Sequence, residues 1–234
     1  MAGTWTFAEM KAMVKLHLGE RTDLSSHTDL SDLYGKWLNS AYLQLTTRNN
    51  FWGYRLPIEW TFPELGSTDA QNTVDGTATI SAPSDVLFIY TVDDTTSTRK
   101  LTRFANMKEY IKLTDRADTN AEGEPTRWIR YGTSIYLHPT PDAVYALLTY
   151  YRKKPAVLTG TDTTVIGDEW DEPIVQLATY QSLIRMKLYD DAKVWRDLFI
   201  DTISGIVGIY DKEGRDAKRH LKPDPGYFQF GYRK

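Results

Sequence analysis

The stretch that decides the fold reads WLNSAYLQLTTRNNFWGYRLPIEWTF, residues 37–62. Its first part is helical in period. Leu30, Leu33, Trp37, Ala41 and Leu45 recur at threes and fours, with Tyr34, Leu38 and Tyr42 beside them. The spacing predicts a helix from Asp29 to about Arg48. Its apolar stripe is broad enough to face more than one neighbour. After Asn50 the period falls to two. Tyr54, Leu56, Ile58, Trp60 and Phe62 alternate with Arg55, Pro57, Glu59 and Thr61. That is the pattern of a half-buried strand, and Pro57 places it at an edge or a bulge.

Helix continues upstream. Thr6 and Glu9 have capping-box spacing, each side chain able to serve the other's free backbone N–H. Phe7, Met10, Val14 and Leu18 follow at helical intervals, and Gly19 stops the run after them. A polar loop, residues 20–27, leads to the second helix. Downstream of Asn50, strands are expected over 77–80, 86–92, 128–131, 134–137 and 144–151. Gly132-Thr133 fits a two-residue hairpin loop with Gly first. Phe104, Met107, Tyr110 and Ile111 mark one short helix within this region. Residues 51–158 therefore read as an antiparallel, sandwich-like β domain.

Helix returns near Asp171. Asp171 reads as its cap, with Trp170 and Val175 as a staple, and Pro173 is tolerated in a first turn. Leu177, Tyr180, Ile184 and Leu188 are its expected buried face. Asp190 or Asp191 caps a fourth helix, with Trp195, Leu198, Phe199, Thr202, Ile206 and Ile209 expected inward. Gly205 and Gly208 each cost about 1 kcal/mol against alanine in a helix, which points to a close crossing or a kink. No helix of this kind hides a broad stripe alone. The expected fold is α+β. The N- and C-terminal helices (1–50 and 159–212) form a four-helix bundle, and the β domain is inserted between the second and third.

Composition bounds the function. At 234 residues, 41% hydrophobic and 25% charged, the chain is globular in type. A net charge of −3 is too mild for a dedicated nucleic-acid binder. Cysteine is absent, which removes disulfides, thiol nucleophiles and cysteine metal sites. No signal-peptide pattern opens the chain, and no run nears the roughly 18 apolar residues of a spanning helix. These features read as a soluble protein made in a cytoplasm, without a membrane role.

The familiar catalytic signatures are missing from the sequence. There is no phosphate loop, no dinucleotide-binding turn and no nucleophile elbow. His17, His27, His138 and His220 have no helical pairing among themselves, which excludes an HExxH zinc site. No cofactor and no metal is expected. Asp168, Glu169, Asp171 and Glu172 form an acidic run. Such a run can bind a divalent cation or supply an acid/base pair. Acids favouring a helix N-terminus explain it more simply. Tyr150, Tyr151, Arg152, Lys153 and Lys154 resemble a single-strand nucleic-acid patch. A strand end with solvated charges is the simpler account.

The last 23 residues change character. Between 212 and 234, seven basic side chains oppose three acidic ones, +4, so from a total of −3 the rest carries −7. Pro223, Pro225 and Gly226 prevent helix there. Tyr227, Phe228, Phe230 and Tyr232 then give four aromatic rings within six residues. A free tail exposing them is an aggregation hazard, so the segment is expected to dock. Extended, it can add a strand to a partner's sheet edge.

Taken in order, several of these pieces resemble a known family. They are Trp37-Leu38-Asn39-Ser40-Ala41-Tyr42-Leu43-Gln44-Leu45 leading into Phe51-Trp52, then Pro83-Ser84-Asp85-Val86. Pro125-Thr126-Arg127-Trp128 and a hairpin ending Leu137-His138-Pro139-Thr140-Pro141-Asp142 follow. Leu148-Thr149-Tyr150-Tyr151-Arg152-Lys153-Lys154-Pro155 then precedes an Asp-rich helix start. The order, over most of residues 28–212, resembles the head-to-tail adaptor proteins of tailed bacteriophages, the connector or tail-tubular type. The resemblance implies a structural, non-enzymatic subunit. Such subunits form rings, typically of twelve copies, beneath the portal protein at the head–tail junction of the virion. The ring continues the channel for genomic DNA, without sequence-specific binding, and presents a surface to nozzle or tail-tube proteins. It also implies a C-terminal portal-binding arm, 213–234, with Lys218, Arg219, Lys222, Tyr227, Phe228, Phe230, Tyr232 and Arg233 as its contacts. The alternative class is a carboxylate-based hydrolase associated with the tail, built on the acidic run.

Overall fold

A computed structural model describes residues 4–19, 33–48, 50–56, 62–114 and 122–220. The chain divides into two compact units, residues 1–62 with 157–234, and residues 63–156. The class is α+β, with five helices and two four-stranded sheets among the described residues.

In the first unit, α1 spans Phe7–His17. The Thr6–Glu9 capping box is formed: the Thr6 N–H donates to Glu9 Oε2 at 2.8 Å and the Glu9 N–H to Thr6 Oγ1 at 3.3 Å. Phe7, Met10, Val14 and Leu18 are all buried, as their spacing predicts. Gly19 turns out of the helix at φ +72°. Helix α2 spans Leu33–Thr47. Tyr34, Leu38, Ala41, Tyr42 and Leu45 are its buried face, and Leu33 and Trp37 flank it half-buried. The expected helix start at 29–32, Leu30 included, lies outside the described residues.

Chain reversal follows α2 at once. Two short strands, β1 (Asn50–Phe51) and β2 (Tyr54–Arg55), pair across Trp52-Gly53. Leu56 and Phe62 are buried as the alternation predicts. Residues 57–61 lie outside the described residues.

The chain re-enters this unit through α4, Asp171–Arg185. This helix packs against α1, against α2 and against the last helix, α5, Tyr189–His220. Three neighbours explain a correction to the expected face. Leu177 is buried, but Tyr180 and Ile184 are half-buried and Leu188 is exposed. Ile174, Val175, Ala178, Thr179, Ser182 and Leu183 are buried instead. The hydroxyls inside are satisfied by their own helix: Thr179 donates to the Val175 carbonyl at 2.9 Å and Ser182 to that of Thr179 at 2.6 Å.

Helix α5 differs from expectation similarly. Ala192, Phe199 and Ile203 are buried, whereas Leu198 is 43% exposed. Ile209 lies outside the described side chains. The helix also runs on to His220, across the boundary expected at 212. Among the described residues, a Cβ added at Gly205 or Gly208 meets nothing within 4 Å, so neither glycine marks a close crossing with any of them.

The second unit is built from two four-stranded sheets. The first has the order β3 (Gly66–Asn72), β10 (Ala146–Lys153), β5 (Val86–Asp94), β6 (Arg99–Lys100). The second has the order β4 (Thr79–Ser81), β9 (Ser134–His138), β8 (Arg127–Tyr131), β7 (Thr102–Arg103). Ile80, Trp128, Ile135 and Leu137 from one sheet share a core with Ile89, Val92, Leu147 and Tyr151 from the other. The five expected strands are present, and the Tyr131–Ser134 hairpin turns on Gly132 at φ +61°. One detail departs from an all-antiparallel sheet: β7 pairs parallel to β8. Helix α3, Met107–Thr114, adds a second small core of Phe104, Tyr110 and Ile129. Strand β3, GSTDAQN, has no large apolar residue and gives no strand signal. It forms because Gly66–Asn72 pairs with β10 along its whole length.

Candidate functional site

The acidic run is the first candidate to resolve. Asp171 is 2% exposed and is the first residue of α4, not its cap; Trp170 stands in the cap position and makes no side-chain cap bond. The Asp171 carboxylate turns away from its own helix. Oδ2 accepts the backbone N–H groups of Thr4 and Trp5, each at 2.9 Å, and Oδ1 accepts the Thr164 hydroxyl at 2.9 Å. Burial raises its pKa above the usual carboxylate value, and those three hydrogen bonds work against the rise. Glu172 accepts from Gln176 at 3.0 Å. The cluster therefore ties the start of the chain to α4. Among the described residues, no group of three or more His, Asp or Glu side chains is placed to hold a metal ion.

The histidines have structural settings. His17 stacks on Trp195, ring centroids 4.4 Å apart, and burial lowers its pKa, with Glu172 opposing the shift. His138 closes β9, its pKa lowered by burial and by the Arg127 charge. His27 lies outside the described residues and His220 outside the described side chains.

The stretch 150–154 is split by the sheet. Tyr151 and Arg152 are buried, and the Tyr151 hydroxyl donates to Asp85 at 3.0 Å. Tyr150 is 39% exposed. Register shifts at Tyr150/Tyr151 and at Arg152/Lys153 break the strand's alternation, so Tyr151 and Arg152 are both buried and do not form one exposed patch with Tyr150.

A cleft that the sequence did not reveal lies where the β1–β2 turn meets α2 and α4. It holds about 220 Å³, and Arg48, Trp52, Tyr180 and Gln181 stand around it. Trp52 has φ +50°, an uncommon backbone conformation for a bulky residue, and remains 44% exposed. Its ring stands edge-on to Tyr180 at 4.7 Å and to Phe199 at 5.9 Å. The only sequence signal was the Trp52-Gly53 turn itself.

The expected arm contacts divide by position. Lys218 and Arg219 fall in the last turn of α5, with side chains outside the described ones. Lys222, Tyr227, Phe228, Phe230, Tyr232 and Arg233 lie outside the described residues.

The chain forms two compact units, a helical one interrupted in sequence by a β one, residues 63–156 where 51–158 was expected. The family model for SU10 adaptor protein matches residues 5–222, nearly the whole chain. The chain belongs to the SU10 adaptor protein family. This is a family of bacteriophage head-to-tail adaptors, structural in role. No curated protein matches the chain. The match spans both units and the full length of α5, and stops before the aromatic cluster 227–232. No helix among the described residues is long and apolar enough to cross a membrane.

Proposed function

We propose that this SU10-family adaptor assembles as a ring, dodecameric in the family's usual form, under the portal of a bacteriophage head. The helical unit, residues 1–62 with 157 onward, forms the bundle of each subunit, 63–156 the inserted β domain, and the C-terminal segment the arm. The arm docks on the portal through Lys218, Arg219, Lys222, Tyr227, Phe228, Phe230, Tyr232 and Arg233. The ring extends the DNA channel and gives nozzle or tail-tube proteins a surface to attach to. Family membership over residues 5–222 carries this reading.

Physical arguments support the details. A cyclic ring needs heterologous contacts, one patch meeting a different patch on the next copy. An arm that orders only on its partner imposes an order of assembly, because the ordering cost is met only in the complex. A body of charge −7 favours a channel over which DNA slides rather than sticks.

Mass photometry of the protein alone and mixed with portal rings is the test. Subunits joining the portal in a fixed multiple are the expected outcome. Deleting residues 227–234 is expected to weaken that binding while the chain stays folded. Portal affinity unchanged by the deletion overturns the arm's role.

A further inference from the structure

The cleft beside Trp52 has the chemistry of a socket. The Arg48 side chain is exposed and makes no ion pair among the described residues. The Gln181 amide nitrogen is buried and has no hydrogen-bond partner among the described residues. Both groups only donate. The rings of Trp52 and Tyr180 line the same cleft. The volume, about 220 Å³, is below the roughly 300–1,000 Å³ of small-molecule sites. An inserted aromatic side chain with a carboxylate beside it fits this space and satisfies these donors.

The same chain carries such a group elsewhere. Between α4 and α5 the backbone turns through Lys187 at φ +63°. The turn is held by the Lys187 N–H on the Ile184 carbonyl at 3.1 Å and the Leu188 N–H on that of Leu183 at 3.0 Å. It presents Tyr189, 62% exposed, followed by Asp190 and Asp191, both exposed and unpaired among the described residues. The knob is fixed in place before any partner arrives, which lowers the entropic cost of docking it. It is not seated in its own chain's socket, since its ring faces solvent.

We propose that the socket of one copy receives Tyr189 of a second copy, with Asp190 or Asp191 meeting Arg48. Socket and knob are different patches, so in a ring each copy's socket takes the next copy's knob, a heterologous contact, whereas a reciprocal exchange closes as a dimer. The inference deepens the ring reading above by naming one contact between subunits, and it rests on that reading.

The absence of cysteine makes a direct test simple. A chain carrying Arg55→Cys, beside the socket, and Lys193→Cys, one turn from the knob, keeps Arg48, Asp190 and Asp191 and is treated with a short bis-maleimide, alone and with portal present. A ladder of covalent oligomers is expected, reduced at least tenfold by adding Trp52→Ala. A control chain with Arg55→Cys alone is expected to give no ladder. Rings by mass photometry without a ladder above that control overturn the inference and leave the adaptor reading intact. A ladder without rings upholds the contact and removes the ring reading. A cross-link from position 55 to the portal or a tail protein assigns the socket to that partner and overturns the self-contact. A protein that neither assembles nor cross-links removes both.

Discussion

Asn39 and Leu158 hold each other at two points. The Asn39 amide donates to the Leu158 carbonyl at 3.0 Å, and its oxygen accepts the Leu158 N–H at 2.8 Å. A side chain on α2 thus stands in for a β ladder and fastens the segment where the chain re-enters the helical unit, 119 residues later. Leu158 is 4% exposed, so water is a poor substitute. Asn39→Leu strands one donor and one acceptor. It is expected to cost about 1–3 kcal/mol, read as a lowered urea midpoint at unchanged slope. An unmoved midpoint shows that the clasp contributes nothing net.

Asp171 does the equivalent for the start of the chain. Asp171→Ala leaves the Thr4 and Trp5 N–H groups without their acceptor and is expected to destabilise by about 1–3 kcal/mol. Asp171→Asn keeps one acceptor oxygen and is expected to lose less. Hydrogen exchange at Thr4 and Trp5 separates this from a general loss: their protection falls first if the carboxylate holds them. Equal losses in both variants sink the tether account.

These two residues also show how far the sequence could be read. Asn39 sat inside the run that resembles the adaptor family, yet nothing in a helical wheel predicts a partner on a distant loop. Asp171 was read as a helix cap because local spacing rewards that reading. The fold instead spends the carboxylate on a segment brought close only by packing of α1 on α4. Periodicity finds α1 and α2 and the β5, β8, β9 and β10 strands, because each buries an apolar face of regular period; the family resemblance rests instead on the order of the quoted motifs. It missed β3, whose polar sequence is a strand only by virtue of its partner. It mis-set the buried face of α4, where helices on three sides leave no single stripe. The Trp52 cleft was invisible because it needs two helices and a turn together. The expected arm contacts lie outside the described residues and side chains.

His17 gives a pH dependence. Burial against Trp195 outweighs Glu172 and sets its pKa below the ordinary value of about 6.5. The unfolded chain then binds the proton more readily than the folded one. The contribution of neutral His17 is complete above the ordinary value and is lost as pH falls through the folded one. Carboxylates titrate nearby, so the measurement is a difference: urea midpoints of the native chain minus those of His17→Gln, from pH 7.5 down to 5. The native chain is expected to lose its advantage over that range. A difference independent of pH shows that His17 contributes by packing alone.

The glycines of α5 sharpen a last expectation. Gly in a helix interior costs about 1 kcal/mol against alanine through backbone entropy. Their spacing suggests a close approach that repays this cost, yet among the described residues a Cβ at Gly205 or Gly208 meets no atom within 4 Å. Gly205→Ala and Gly208→Ala are therefore each expected to stabilise the isolated chain, by about 0.4–1 kcal/mol. Thermal unfolding of the unassembled protein reads this as a higher Tm. If either substitution lowers the Tm, the glycine supports a packing contact absent from the residues surrounding it here. If both raise it, the fold of the single chain does not require glycine at these positions, and α5 can be stiffened without cost to either compact unit.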